Sequence, residues 1–172
     1  MYELECISQA FASRKPGSLA KGEKLMVIAC DHPARGALAA GSDEAEMANR
    51  VELLECCVEA LSRPGVNGFL GTADMVEDLT LLGALEGKMV YDSMNRVGLR
   101  GAKFEMDDQF NCYNAAGIEE MGLDGGKTLT RINLEDPDTA DTLRATADAI
   151  PDQPPQDLHT LQLLSIAVVS RC

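Results

Sequence analysis

Apolar residues along this chain come in short unbroken runs, and the stretches between them repeat at helical spacing. Leu25 to Cys30 is a continuous apolar run of strand length, which predicts a strand buried on both faces. It breaks abruptly into Asp31, His32, Pro33 and Arg35, and Pro33 keeps the strand from continuing. Further strands are predicted at Val66–Leu70, closed by Gly71, at Met89–Tyr91, and at Lys127–Ile132. The first helix between them is capped by Ser42 or Asp43 and carries Met47, Val51, Leu54, Val58 and Leu61 on one face, up to Pro64-Gly65. A second opens at Thr72 with Met75, Leu79 and Leu82 on one face, a short one covers Asn114 to Met121, and Pro137 leads another over Asp138 to Ile150.

Four strand–helix units in series imply an α/β fold with a parallel sheet and right-handed crossovers over residues 25–150. Residues 1–24 read as an N-terminal arm, with a helix or extended stretch and a turn. Residues 97–111 read as a long loop. The tail, 151–172, opens with Pro151, Pro154 and Pro155 and continues into the apolar run Leu158 to Val169. Without strand–loop–helix grammar, it is expected to be a chance helix or a disordered end.

Composition narrows the function classes. With 45% hydrophobic and 25% charged residues, the 172-residue chain has the make-up of one soluble globular domain. A net charge of -13 and the lack of any Lys/Arg run argue against nucleic acid as a partner. No segment approaches the roughly 18 apolar residues of a membrane span, and no signal-peptide pattern opens the chain, so no membrane partner and a cytoplasmic location are expected. Six cysteines show no CxxC pair and no ligand-like spacing with His32 or His159, so neither a zinc site nor a disulfide framework is expected. Cys30 reads as a small buried hydrophobe, with a nucleophile as the alternative.

Several motifs carry a resemblance: Ile28-Ala29-Cys30-Asp31-His32-Pro33-Ala34-Arg35-Gly36, Gly68-Phe69-Leu70-Gly71-Thr72-Ala73-Asp74, Asp92-Ser93-Met94-Asn95-Arg96, Phe104-Glu105-Met106-Asp107-Asp108 and Met121-Gly122-Leu123-Asp124-Gly125-Gly126-Lys127. Over about residues 20–150 the chain resembles the class I aldolase superfamily of (β/α)8 barrels, and within it an aldolase-like bacterial family with poorly defined substrates. The resemblance implies a partial TIM barrel of about four β/α units, with strands adjacent in chain order and helices on one outer side. It also implies a Schiff-base carbon–carbon lyase acting on a sugar or sugar phosphate, with no cofactor. A barrel of this type needs eight strands and about 250 residues, so the chain reads as an N-terminal half, truncated and weakly active or inactive. The alternative is a non-catalytic barrel fragment that self-associates through exposed strand edges, and a homo-oligomer is expected. In many class I aldolases the imine-forming lysine lies on strand six, beyond the matched region.

Asp31 and Lys127 are the candidate catalytic residues. Asp31 would hydrogen-bond substrate hydroxyls or relay protons, with a turn or capping acid as the alternative. Lys127 is the only lysine well inside an apolar strand; by alternation Lys127, Leu129 and Arg131 share one face. It lines the site, forms the imine, or is a structural strand lysine; the resemblance implies the first. His32, Arg35, Asp74, Ser93, Asn95 and Arg131 are the candidate substrate-binding residues, the two arginines because a guanidinium grips two oxygens of a phosphate or carboxylate at once. Asp31, Arg35, Asn95, Lys127 and Arg131 are expected in one cleft. Glu105, Asp107 and Asp108 lack clustered histidines and read as a solvated loop, so no metal is expected.

Overall fold

The computed structural model describes residues 2–97, 108–150 and 164–169. Helix α1 (Tyr2–Ser13) leads to strand β1 (Val27–Cys30), a 3-10 turn at Pro33–Arg35, helix α2 (Arg50–Leu61), strand β2 (Gly68–Gly71), helix α3 (Ala73–Leu81) and strand β3 (Met89–Ser93). There follow the two-residue strands β4 (Arg96–Val97) and β5 (Asp108–Gln109), helix α4 (Ala115–Glu120), strand β6 (Gly125–Ile132), helix α5 (Thr139–Ala149) and strand β7 (Leu164–Val169). The main sheet is parallel with order β1-β2-β3-β6-β7, so its strands neighbour one another in chain order. The pair β4–β5 is antiparallel and separate.

The register decides which side chains share a face. Ala29, Leu70 and Tyr91 lie side by side, and Ser93 lies beside Lys127. On the other face Ile28, Phe69 and Val90 align, and with Cys30 they form one apolar cluster with Cys57 and Leu61 of α2, Met75, Val76 and Leu79 of α3, and Ile118 of α4. Helix α5 meets the same face differently: the Thr130 and Thr146 hydroxyls are 2.8 Å apart, and Thr139, Thr142 and Thr146 are its buried residues. The helices therefore cover one side of the sheet, and Lys127 points to the side away from them.

The N-terminal arm is pinned where β3 begins. The Arg14 guanidinium donates to the carbonyls of Lys88 and Gly122 at 3.1 and 2.7 Å, and Gly17 N–H donates to Lys88 O. A Cβ on Gly17 would lie 2.4 Å from the Lys88 carbonyl carbon, so only glycine permits this approach.

Three expectations are corrected. The first strand begins at Val27 rather than Leu25, because the Asn67 amide takes over the backbone there: it accepts from Met26 N–H at 2.7 Å and donates to Lys24 O at 3.0 Å. The helix expected from Ser42 or Asp43 starts at Arg50, capped by Asn49, whose Oδ1 accepts from Val51 N–H at 3.1 Å; Asp43 instead closes a tight turn onto Ala45 N–H. Its buried stripe is rotated as well, since Val51 is 64% and Val58 38% exposed while Cys57 and Leu61 are buried. The tail expected to be helical or disordered supplies β7, paired from Lys127–Leu164 to Ile132–Val169. An eight-residue strand with an open edge offers a row of unpaired donors and acceptors, and Leu-Ser-Ile-Ala-Val-Val suits a strand. The strands expected at residues 66–70, 89–91 and 127–132, the helix opening at Thr72 and the short helix ending at Met121 are present with shifts of one or two residues. Most of the loop 97–111, including Glu105 and Asp107, lies outside the described residues.

Candidate active site

Parallel strands share a polarity, so residues just beyond their carboxyl ends gather at one end of the sheet. Asp31 follows β1, and its Oδ2 accepts hydrogen bonds from Ser93 Oγ of β3, at 3.1 Å, and from Lys127 Nζ of β6. Three strands thus contribute to one polar cluster. The Asp31 and Lys127 side chains are each only 9% exposed, while His32, whose Nδ1 is 3.5 Å from Asp31 Oδ1, is 57% exposed. Burial works to raise the Asp31 carboxyl, but the hydrogen bond and charge of Lys127, helped by His32 and Ser93, outweigh it and hold the group below its ordinary value.

A cleft with about 410 Å³ of empty space, its mouth included, opens over this pair; its walls include Asp31, His32, Arg35, Asn95, Cys112 and Lys127. Arg35 enters from the 3-10 turn after β1 and has no acidic partner among the described residues. Of the five residues expected to converge, Asp31, Arg35, Asn95 and Lys127 do so. Arg131 is not in the wall; it stands two positions beyond Lys127 on the same strand face, half-buried.

Two candidate binding residues have structural employment. The Asn95 amide donates to Leu129 O and accepts from Leu129 N–H, so although it lines the cleft it ties the end of β3 to β6. Asp74 lies in a neighbouring cleft, where its carboxylate accepts from Thr72 Oγ1 at 2.5 Å and from Arg50 at 2.6 Å. These bonds overcome the effect of burial and hold Asp74 below its ordinary value.

The sequence reading missed two features. Cys112, with no motif to mark it, lines the cleft, its thiol pushed up by burial to about 11. Asp92 precedes Ser93 and so faces the helices, fully buried. Its Oδ2 accepts from Tyr113 N–H at 3.0 Å, while Oδ1 has no hydrogen-bond partner among the described residues. Burial, reinforced by the charges of Asp74 and Glu77 and only partly offset by Tyr113, pushes this carboxyl up to about 7. Strict strand alternation was the available signal for both roles: Ser93 to the cleft, Asp92 to the core.

Among the described residues no group of three or more His, Cys, Asp or Glu is placed to hold a metal ion, and no helix is long and apolar enough to cross a membrane.

Fold and site together define an α/β protein whose parallel sheet carries a buried acid–lysine pair level with the carboxyl ends of β1 to β3, the lysine lying near the start of β6. The model of the Cgl0159-like family matches residues 23–163, and the chain belongs to that family. The crystal structure of Cgl0159 from Corynebacterium glutamicum (Brevibacterium flavum), a structural-genomics target, is similar to it at 53% identity and a TM-score of 0.82. The match covers 86% of this chain and 50% of that one, so the chain spans about half the length of that relative. No curated protein matches.

Proposed function

We propose that the chain forms the first part of a (β/α)8 barrel of class I aldolase type, and that Asp31 and Lys127 belong to a site for Schiff-base carbon–carbon chemistry on a sugar or sugar phosphate. The observation that carries this reading is the buried Asp31–Lys127 ion pair on the face away from the helices. Removing two charges from water costs several kcal/mol per ion, and apolar residues of similar size hold a fold about as well. Such a pair is therefore poorly explained by stability alone. Strands that neighbour in chain order, with helices on one side, support the barrel, whose interior would be the Lys127 face.

Each residue has a task in this reading. Imine formation needs a nitrogen lone pair, which a protonated lysine in an ion pair lacks. Asp31, held below its ordinary value, is a poor acceptor for the Lys127 proton. Lys127 is therefore the positioned cation, stabilising oxyanion charge as the carbon–carbon bond breaks or forms. Asp31 and Ser93 hold substrate hydroxyls, and Arg35 takes a phosphate or carboxylate. The imine-forming lysine comes from a part of the barrel outside these 172 residues, so the chain alone turns over little. A second reading, a non-catalytic fragment that self-associates, is favoured by β1, which has a single strand neighbour among the described residues.

The test is borohydride trapping with a panel of aldehydes and ketones, read by mass spectrometry, on this chain and on full-length Cgl0159. The expected result is a reduced adduct on the full-length protein at a lysine other than the Lys127 equivalent, with none on this chain. Absence of any adduct on either protein overturns the Schiff-base reading. A stoichiometric adduct on Lys127 with turnover makes this chain an enzyme by itself.

A further inference from the structure

Thr72 follows β2 and stands in the N-cap position of α3. A threonine there ordinarily accepts from a helix N–H, but this side chain makes no capping bond. Its hydroxyl donates instead to Asp74 Oδ1 at 2.5 Å. Asp74 is held in turn by Arg50, the first residue of α2: Nη1 donates to Asp74 Oδ2 at 2.6 Å and Nη2 to its backbone carbonyl at 3.2 Å. Asp78, one turn further along α3, accepts from Nε and Nη2 of the same guanidinium at 3.0 and 2.6 Å and so fixes its orientation.

A carboxylate gripped by a guanidinium is ionised and can only accept. The Thr72 hydroxyl has one proton, and Asp74 takes it. Toward a ligand the Thr72 oxygen is therefore an acceptor only. Arg50 and Asp74 line the second cleft but not the first, whereas Thr72, 8% exposed, lines both, beside Asp31, Arg35 and Lys127 in the first. Arg35 and Lys127 offer donors, and Asp31 Oδ2 already accepts from Ser93 and Lys127. Thr72 adds a neutral acceptor.

We propose that Thr72 is a specificity-determining residue of the first cleft, its oxygen accepting a hydrogen bond from a substrate hydroxyl and disfavouring a carbonyl oxygen at the same place. Asp74 is then a positioning residue acting through Thr72, and the substrate is a hydroxylated chain with an anionic end. The proposal rests on the reading that Arg35 takes a phosphate or carboxylate in this cleft, but not on imine chemistry.

The experiment is NMR titration of the full 172-residue chain with glycerol 3-phosphate, dihydroxyacetone phosphate and propyl phosphate, three ligands of equal chain length. Glycerol 3-phosphate is expected to bind most tightly. Thr72→Val should weaken it about fivefold, the worth of one neutral hydrogen bond, and leave propyl phosphate unchanged. Thr72→Ser, which keeps the hydroxyl, should keep the preference. In Asp74→Asn, Arg50 still requires an oxygen, so the amide turns its NH2 to Thr72 and the threonine proton points into the cleft. The ratio of affinities should then shift about fivefold toward dihydroxyacetone phosphate, a change that loosened packing would not produce. Equal loss for all three ligands in Thr72→Val, or an unchanged ratio in Asp74→Asn, overturns the proposal while leaving the Arg35 reading intact. If none of the three binds to wild type, both fall together. Borohydride trapping reports separately on the Schiff base.

Discussion

The side chain of Asn95 bonds to Leu129 as a neighbouring strand would, donating to its carbonyl and accepting from its N–H, both at 2.8 Å. The last backbone bond from this edge of β3 to β6 runs from Met94 N–H to Lys127 O at 2.9 Å, and the Asn95 amide continues the ladder to Leu129. Asn95 is buried, so these bonds have little competition from water. Asn95→Ala should therefore destabilise the chain by about 2–3 kcal/mol, combining lost bonds and unsatisfied backbone groups. Asn95→Asp should lose as much, since a carboxylate accepts from Leu129 N–H but cannot donate to its carbonyl. Urea denaturation measures both, and an unchanged midpoint in either would show the amide is dispensable.

Lys127→Met leaves Asp31 buried without its cation, and a loss of about 3 kcal/mol is expected at neutral pH. The double variant Asp31→Asn with Lys127→Met should recover most of it. The pH dependence carries the sign. The Asp31 carboxyl is depressed in the folded state, so its stabilisation is present above the unfolded value of about 4 and fades as pH falls through the lower folded value. Wild type should lose this contribution on acidification, whereas Lys127→Met should lose less or gain. Parallel urea midpoints from pH 3 to 7 would contradict the pairing.

Asp92 predicts the opposite slope. Its folded carboxyl titrates at about 7 against an unfolded value near 4, so between these the folded state holds a proton that the unfolded state lacks. Stability should fall as pH rises across that window and level off above it. Asp92→Asn never ionises, so its stability relative to wild type should improve from pH 5 to pH 8, even if its amide costs something at low pH. A constant difference between the two denaturation curves would place the charge elsewhere.

Gly17→Ala would set a methyl group 2.4 Å from backbone atoms of Lys88 and Met89, which no rotamer change relieves. A loss of about 2 kcal/mol or more is expected, with the arm detaching from β3 rather than the core unfolding. Limited proteolysis should then cut near Lys15 and Lys21 sooner than in wild type.

The strands expected at residues 66–70 and 89–91 were legible because short apolar stretches bounded by glycine or acid have few other uses, and that at 127–132 through its alternation of Leu129 and threonines before Pro137. The start of α2 was not, since Asp43 and Asn49 are equally good caps in sequence and the turn at Ala40–Asp43 claims the first. Cys57 misled the choice of stripe, as a cysteine reads as neutral where Val51 and Val58 read as core. β7 was illegible for a physical reason: its stability depends on the open edge of β6, about which the tail's own residues say nothing. Asp31 and Arg35 were found through their position after the first strand, and Lys127 as a lysine inside a strand. That Asn95 and Asp74 are engaged elsewhere follows from partners distant in sequence, Leu129 and Arg50, that no local pattern reveals.

The threonine contact between α5 and β6 sets the order in which the molecule comes apart. Leu143 of α5 is exposed and Ala149 offers only a methyl group to the apolar core, while the buried side chains of the helix carry hydroxyl groups that water can replace one for one. Helices α2 and α3 instead bury cysteine, leucine, methionine and valine that water solvates poorly. Segments with few apolar contacts open in sub-global steps well below the free energy of complete unfolding. In deuterated solvent the amides of α5 should exchange ahead of those of α3, leaving β1 to β3 as the last protected unit.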